Sequence, residues 1–382
     1  MSVQTLIYAY LAICVSMIVF NCVCIFIFRH RDRRMNRRSK HLEKHVQQQI
    51  HRLKDGEEVE RSHIDYLYKK LKRAGNLTAF DLALDEVRET ARAEEAGPLI
   101  KEYIAQVHQV FIYLALYLKD RNDIRQAHFA YLVAKYHIIE DRPVGLIMDS
   151  MLRMVYSPNI YCRENALIAI YSSGDAGSVV RALQILNEHK MFHHSKLLTD
   201  GLLTFHGYHE LLIRQLFSML AEFSAPLQVS ILNYIRFYSG DYQQEMLALL
   251  TDEQQDHEIR FSCIRYFGRY PYQPAYPTLL EFMRTSETRR WEYTAIASSA
   301  LASYPGQETV DALKKALCDA NWYIRYNASD SLLKLDLSYP EMADILDGHD
   351  RFAREILLYR IDHARSRKEA AEKAKAKEAA AC

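Results

Sequence analysis

The sequence predicts an all-α protein in which one N-terminal transmembrane helix precedes an α-solenoid of stacked helical pairs. Three observations support this fold class. Residues 159–166 (NIYCRENA) return as residues 321–328 (NWYIRYNA), with five of the eight positions identical. The offset of 162 residues is about five units of 32 residues, and a fixed period of roughly 20–50 residues is typical of helical repeats. The chain also has an apolar N-terminal segment, and only 12 Gly and 9 Pro, which argues against a turn-rich β fold.

The first element is an apolar run over residues 6–28, interrupted only by Ser16 and Asn21 and free of formal charge. As a helix, it would span about 34 Å, which is enough for a hydrocarbon core of about 30 Å. No Lys or Arg precedes the run, as one would in a cleaved signal peptide. We therefore predict an uncleaved transmembrane anchor over residues 1–28. Asn21 is either a tolerated polar residue or a hydrogen-bonding contact to a second transmembrane helix.

A cluster of basic residues follows the anchor. It comprises Arg29, Arg31, Arg33, Arg34, Arg37, Arg38 and Lys40. By the positive-inside rule, the N-terminus is expected outside and the bulk of the chain in the cytoplasm. We interpret the cluster as a topology determinant that contacts anionic lipid headgroups. The alternative is a nucleic-acid or acidic-partner site, but the net charge of +1 gives no support for nucleic acid.

The remaining chain divides into three predicted segments. Residues 29–75 are the basic juxtamembrane segment and a helical connector, residues 76–360 are the solenoid, and residues 361–382 are an Ala/Lys/Glu-rich tail expected to fray. A helix break is expected at Gly97-Pro98. The helices that repeat are predicted to begin near residues 123, 159, 195, 225, 256, 290 and 319, and their companions to cover residues 176–186, 208–220, 243–250, 275–283, 307–317 and 340–346.

The repeats resemble HEAT repeats, an armadillo-type α-solenoid family. The residues that carry the resemblance are an Asp, an apolar residue followed by Arg, and then small residues: Asp319, Ile324, Arg325 and Ala328; Asp256, Ile259 and Arg260; Ser157, Cys162, Arg163 and Ala166. The units near Ser195 and Ala225 lack the Arg. The resemblance covers roughly residues 77–359. It implies a right-handed solenoid, and the whole chain resembles bacterial single-pass membrane proteins with a cytoplasmic HEAT domain.

We assign structural roles to the repeat residues Arg163, Asp256, Arg260, Asp319 and Arg325. An Asp at a helix start can accept from free backbone N–H groups. Each Arg is expected to reach the Asp of a neighbouring repeat and so to link the units.

No sequence motif indicates an enzyme. The chain has no Gly-rich phosphate loop, no G-x-S-x-G elbow and no HExxH, so we predict a protein that is not an enzyme and needs no cofactor. One His-rich stretch is a weak candidate for a metal site, because no carboxylate is clearly placed as a base or third ligand. It contains His189, His193, His194, His206 and His209.

The 26 tyrosines either pack the core or form part of an exposed aromatic surface. Our candidate for a partner-binding surface comprises Arg265, Tyr266, Arg269, Tyr293 and Tyr326.

The resemblance implies protein binding and scaffolding. The expected function is a cytoplasmic adaptor anchored in a bacterial inner membrane, with a membrane-associated protein as partner, for example an envelope-polysaccharide glycosyltransferase or a signalling protein. Two alternatives remain open at this stage. One is a HEAT-like lyase or other enzyme that acts on a bound small molecule. The other is a self-assembling structural membrane protein, in which Asn21 and the connector drive homo-oligomer formation.

Overall fold

The computed structural model describes residues 3–73, 75–90, 93–119, 124–140, 145–191, 193–284 and 291–381. Within these ranges the chain forms helices and no strand, which confirms the all-α class. The α-helices are α1 (Val3–Lys54), α2 (Arg61–Leu71), α3 (Asn76–Thr90), α4 (Ala93–Gln106), α5 (His108–Tyr117), α6 (Ile124–Lys135), α7 (Leu146–Met154), α8 (Ile160–Ser172), α9 (Ala176–Glu188), α10 (Ser195–Leu203), α11 (His209–Ser218), α12 (Ala225–Tyr238), α13 (Gln243–Thr251), α14 (His257–Arg269), α15 (Tyr276–Arg284), α16 (Trp291–Ala300), α17 (Gln307–Leu317), α18 (Trp322–Lys334), α19 (Tyr339–Leu346) and α20 (Arg351–Ala381).

The predicted repeat helices begin within about three residues of the expected positions, as α6, α8, α10, α12, α14, α16 and α18. The repeated phrase marks a helix start because its first residue is a cap. Asn159 accepts from the backbone N–H of Tyr161 at 3.0 Å, and Asn321 accepts from that of Tyr323 at 2.9 Å. Such a side chain satisfies an N–H group that has no partner inside the helix.

The first compact unit comprises Met1–Phe192 and Thr204–Tyr208, and it contains α1 to α9. In it, α1 packs on α3 and α4, α3 packs on α6, and α6 packs on α8. Phe80, Tyr103, Phe111 and Phe129 have no exposed surface and form the centre of its core.

The predicted anchor and the first part of the connector are one continuous helix, α1, so the predicted boundary at residue 28 does not correspond to a break. An 18-residue window in its apolar half has a mean hydropathy of 2.8 and contains no buried residue, and the helix is long enough to span a membrane. In its second half, Leu42, Val46 and Ile50 are buried at a spacing of four residues, which places them on one helix face. Thus only the second half of α1 belongs to the packed body.

The second unit comprises His193–Leu203 and His209–Cys382, and it contains α10 to α20. Each of α10, α12, α14, α16 and α18 contacts the helix two places further along, and each of α12, α14, α16, α18 and α20 contacts the helix that precedes it. Small buried side chains allow close approach. Ser298, Ala328 and Ser331 have no exposed surface, and the Ser331 hydroxyl donates to the carbonyl of Ser298 at 2.7 Å.

One local prediction was wrong. Gly97 and Pro98 lie inside α4 instead of separating two helices. Pro98 is in the second turn, where its missing N–H removes a single helical hydrogen bond. The tail continues α20 as helix to Ala381, and its fraying stays a prediction.

Gly207 lies where two turns of the first unit approach each other. The backbone of His206 donates to the carbonyl of Tyr171 at 3.2 Å, and a Cβ atom on Gly207 would collide with the carbonyl of Gly174 and with the ring of Phe205. We expect Gly207→Ala to lower the free energy of unfolding by about 1–3 kcal/mol, because overpacking forces the backbone to shift. Denaturant unfolding measures this.

Gly97→Ala is the matched control, because a Cβ atom on this helical glycine meets nothing within 4 Å. It is expected to be neutral or to stabilise the protein by about 0.5–1 kcal/mol. Equal unfolding midpoints for Gly207→Ala and the unsubstituted chain would contradict the close approach.

Candidate partner-binding surface

Exposed aromatic side chains gather at the first turns of three helices in the second unit. Trp291 begins α16, Trp322 and Tyr323 begin α18, and Phe352 lies in the first turn of α20. Tyr326 follows one turn along α18. We refer to Trp291, Trp322, Tyr323, Tyr326 and Phe352 as the aromatic surface.

Ring contacts link these side chains across the helices. The rings of Trp291 and Tyr323 stack with their centroids 5.6 Å apart, and those of Trp322 and Tyr326 stack at 4.9 Å. Both separations fall in the range of about 4.5–7 Å that is favourable for aromatic pairs. The guanidinium of Arg325 lies 5.4 Å from the centroid of the Phe352 ring, which extends the surface to α20.

The members of the aromatic surface differ in exposure. Trp322 is 52% exposed, Tyr323 58% and Phe352 64%, whereas Trp291 is 37% exposed and Tyr326 is half-buried. The chain contains two Trp residues, and both lie here. Contiguous exposed apolar patches mark interaction sites, and Trp and Tyr are enriched among the residues that dominate binding energy. The surface therefore has the chemistry of a protein-binding site.

An acidic groove of about 480 Å³ adjoins the aromatic surface. Glu253 and Asp256 line it from the loop before α14, Glu258 from the first turn of α14, and Glu292 from α16, next to Trp291. The guanidinium-bearing Arg260 also lines it, so four carboxylates stand against one Arg. Cationic side chains stack on aromatic rings and pair with carboxylates. Together, the groove and the rings suit a partner segment that presents Lys or Arg.

The predicted candidate surface is wrong for Tyr266. This side chain is fully buried, and its hydroxyl accepts from the backbone N–H of Tyr242 at 3.1 Å, so it stabilises a helix interface. Tyr293 is 6% exposed, its ring packs 4.7 Å from that of Phe261, and it lines the acidic groove. Tyr326 is the one predicted tyrosine that belongs to the aromatic surface.

The two predicted arginines lie elsewhere on α14. The acidic groove is at the N-terminal end of this helix, whereas Arg265 and Arg269 lie in its last two turns. Arg269 donates to the carbonyl of Phe237 at 3.4 Å. Burial lowers the pKa of Arg236, and the charges of Arg265 and Arg269 lower it further. This positive cluster is separate from the aromatic surface.

Arg260 and Arg325 donate to backbone carbonyls of the described chain, in place of the predicted bond to the Asp of a neighbouring repeat. Arg163 donates to the carbonyl of Ser157 at 2.8 Å, and Arg325 makes the equivalent bond to Asp319 at 2.7 Å. Arg260 donates to the carbonyl of Leu250 at 2.9 Å. Carbonyls at helix ends and in the following loops have no helical partner, so they compete effectively for the guanidinium. The structural role remains, with a different acceptor.

The predicted cap role of the two Asp residues is confirmed in part. Asp256 is the cap of α14 and accepts from the backbone N–H of Glu258 at 2.8 Å. Asp319 accepts from the backbone N–H of Asn321, and Asn321 is the cap of α18.

The link between neighbouring helices comes from an asparagine that sequence reasoning did not single out. Asn165 donates to the carbonyl of Ala127 on α6 at 2.9 Å, and Asn327 donates to that of Ala295 on α16 at 2.7 Å. Both occupy the same position in the repeated phrase. The sequence signal for this asparagine was that it is identical in the two copies of the phrase.

The basic residues after the anchor lie along α1. Arg34, Arg37 and Arg38 line a cavity together with Lys70 and Arg73. The others are exposed: Arg29, Arg31, Arg33 and Lys40. The spacing along the chain gave no indication that α2 would contribute to the same cavity.

The His-rich stretch has ordinary packing contacts. His189 stacks on Tyr156 at 4.9 Å, and His206 lies 5.3 Å from the ring of His137. His209 shares a hydrogen bond of 2.7 Å with the Tyr234 hydroxyl. Buried His193 and exposed His194 complete the stretch. Among the described residues, no three His, Cys, Asp or Glu side chains are grouped to hold a metal ion.

No protein family model matches this chain, and no curated protein matches it. The resemblance to HEAT repeats therefore depends on the residues and period given above, and HEAT membership stays a prediction.

Proposed function

We propose that the protein is a membrane-anchored adaptor that binds a protein partner through the aromatic surface and the adjoining acidic groove. In this proposal, residues 76–360 form a solenoid of HEAT-like pairs on the cytoplasmic side of a bacterial inner membrane. The apolar half of α1 crosses the membrane, with the N-terminus outside.

The observation that carries the binding role is the aromatic surface. A soluble helical body gains nothing from placing its two Trp residues in water, since burying an aromatic side chain stabilises the fold by about 1.5–3 kcal/mol. Yet Trp322 in the first turn of α18 is 52% exposed, and Trp291 in the first turn of α16 is 37% exposed. A bound partner would recover this burial.

The charge of the groove supports another membrane protein as the partner class. Four carboxylates line it, from Glu253, Asp256, Glu258 and Glu292. The cytoplasmic loops of membrane proteins carry an excess of Lys and Arg, so they offer the complementary charge. An envelope-polysaccharide glycosyltransferase or a signalling protein would belong to this class.

The anchor is supported by the exposure and composition of α1. An 18-residue apolar window that contains no buried residue favours a membrane-spanning role for this part of α1. The arginines that follow it favour retention of the body on the cytoplasmic side. Anchoring two proteins in one membrane raises their effective concentration, so a modest contact at the aromatic surface would suffice.

The solenoid is supported by the repeated contacts of the second unit. The even-numbered helices α10 to α20 contact one another in sequence, and the same Asn-to-carbonyl bond occurs on α8 and α18. Units that contact only their neighbours in the chain are typical of repeat proteins.

Affinity capture with cross-linking from native membranes tests the adaptor function. Full-length chain is expected to recover one membrane protein. A chain that lacks residues 1–28 is expected to recover the same protein with a yield about tenfold lower or less, because the tether no longer raises the local concentration. The yield per captured bait molecule is the measurement.

Recovery of the bait alone from both samples would overturn the adaptor proposal in favour of self-assembly. Equal recovery of one partner by both chains would retain the binding role but contradict the role of the anchor.

A further inference from the structure

A cavity of about 290 Å³ lies where the second half of α1 meets α2 and the loop that follows it. Its walls include Arg34, Arg37 and Arg38 from α1, and Lys70 and Arg73 from α2 and the loop. This volume is close to the lower end of the roughly 300–1,000 Å³ that is typical of small-molecule sites. It suits a compact polar group.

The inner wall is fixed by hydrogen bonds. His41 Nδ1 lies 2.9 Å from the Tyr66 hydroxyl, and the amide of Asn76 donates to the carbonyl of Lys70 at 2.7 Å. Gly75 has a φ of +76°, and a Cβ atom there would lie 3.3 Å from Nη1 of Arg38. The glycine thus lets the loop close on the arginine.

The cavity is strongly positive. Among the described residues that line it, none is acidic. Arg34, Arg37, Lys70 and Arg73 form no ion pair with any described residue. So many cations around one cavity repel each other unless an anion is bound.

The positive charges at the cavity also act on a neighbouring residue, His45. Burial lowers the pKa of His45, and the charges of His41 and Lys70 lower it further.

The cavity lies just beyond the lipid headgroups when the apolar half of α1 spans a membrane. At 1.5 Å per residue, the backbone of Arg34 is about 9 Å beyond Phe28 and that of Arg38 about 15 Å beyond it. The headgroup layer is about 5–8 Å thick on each side. Side chains on a helix lean toward its N-terminus, which here is the membrane side. The guanidinium of Arg34 can therefore reach into the headgroup layer, and the cavity opens next to its outer edge.

We propose that this cavity binds the phosphate headgroup of one anionic phospholipid, with Lys70 and Arg73 closing the site from α2. Guanidinium groups bind phosphate oxygens through two parallel hydrogen bonds, and Lys adds a compact charge. The lipid would fix the packed body against the membrane surface. This inference rests on the proposed membrane anchoring. A defined site for one lipid differs from the diffuse attraction that any basic flank exerts on anionic lipids.

Native mass spectrometry on full-length chain tests it. The chain is reconstituted in vesicles of phosphatidylglycerol and phosphatidylcholine in equal parts and then released in mild detergent. We expect one retained phosphatidylglycerol per chain. Lys70→Gln with Arg73→Gln is expected to reduce retention by about tenfold or more, because two charged hydrogen-bond donors to the phosphate are lost.

The matched control is Arg61→Gln with Lys69→Gln. It removes the same charge from α2 at exposed positions that do not line the cavity, and it is expected to keep the lipid. A second cavity variant with its own control, both on α1, tests the site in case the first cavity variant misfolds. Arg34→Gln with Arg37→Gln should lose the lipid, whereas Arg31→Gln with Arg33→Gln should keep it.

If the cavity and control variants lose the lipid equally, the attraction is diffuse and the proposed site is overturned. Full retention of the lipid in both cavity variants would also overturn it. Glycerol phosphate in solution is expected to compete weakly; if it binds the detergent-released chain as tightly as the lipid, the ligand is a soluble phosphate and the lipid assignment is wrong. Vesicle flotation separates the two proposals. Failure to float would overturn the anchor and the lipid site together, whereas flotation without retained lipid overturns the lipid site alone.

Discussion

Replacing Trp322 and Tyr323 together by Ala is expected to weaken capture of the partner by about 30-fold or more. The two side chains are 52% and 58% exposed, so they contribute little to the fold, and they contact both Trp291 and Tyr326. Truncation of central aromatic residues in an interface typically costs about 2 kcal/mol or more, which is about 30-fold in Kd. Capture yield from membranes measures the effect, and Kd follows with purified partner.

The chain offers a closely matched control in Ile160→Ala with Tyr161→Ala. These residues occupy the same two positions of the repeated phrase, at the start of α8, and they are 47% and 74% exposed. They lie in the first unit, away from any cluster of exposed Trp. We expect unchanged capture in this variant and unchanged unfolding in both. Equal loss of capture would show that the aromatic surface has no special role.

The helix positions could be predicted because their determinants are local. Asn159, Asp256 and Asn321 each cap a helix through a backbone N–H two residues further along. The apolar period of each helix is equally visible in the sequence. Consequently the predicted starts of the repeat helices agree with the structure, from α6 to α18.

The orientation of individual side chains could not be predicted in the same way. Tyr266 and Tyr326 both lie on repeat helices, yet the first is fully buried and the second is half-buried beside Trp322. The difference depends on neighbouring helices that are distant in the chain. The sequence did contain a signal for the aromatic surface, because Trp291 and Trp322 both occupy the first position of a helix.

The acceptors of the repeat arginines show a similar limit. An Asp–Arg pair between repeats is reasonable from charge alone, but Arg260 and Arg325 contact carbonyls and aromatic rings within the described structure. A sequence displays side-chain charges, while unsatisfied backbone carbonyls become visible only when the helix ends are located. The structural role of these residues stays a prediction, whereas the predicted acceptors of Arg260 and Arg325 were wrong.

Arg260→Ala is expected to give the largest loss of stability among the repeat residues. Arg260 is 6% exposed, donates to the carbonyl of Leu250, and lies 5.1 Å from the Tyr293 ring and 5.6 Å from the Phe282 ring. Its removal leaves a carbonyl without its donor, at a cost of about 1–3 kcal/mol, and loses a cation–π contact of about 1–2 kcal/mol together with packing of the stem. We expect a total of about 3 kcal/mol. Thermal unfolding of the full chain should show a decrease in Tm of about 6–12 °C for the affected unit.

Two further variants separate the role of burial from the loss of a positive charge. Arg325 makes the equivalent carbonyl bond at a more exposed position, so Arg325→Ala is expected to cost about 1 kcal/mol. Arg214 is an exposed residue whose one ion pair, to Glu210, spans 3.7 Å, so Arg214→Ala is expected to change stability by less than about 0.5 kcal/mol. The order Arg260, Arg325, Arg214 should therefore follow burial. Equal effects at Arg260 and Arg214 would mean that the repeat arginines are not structural, and their exposed faces would then have to be reconsidered as binding sites.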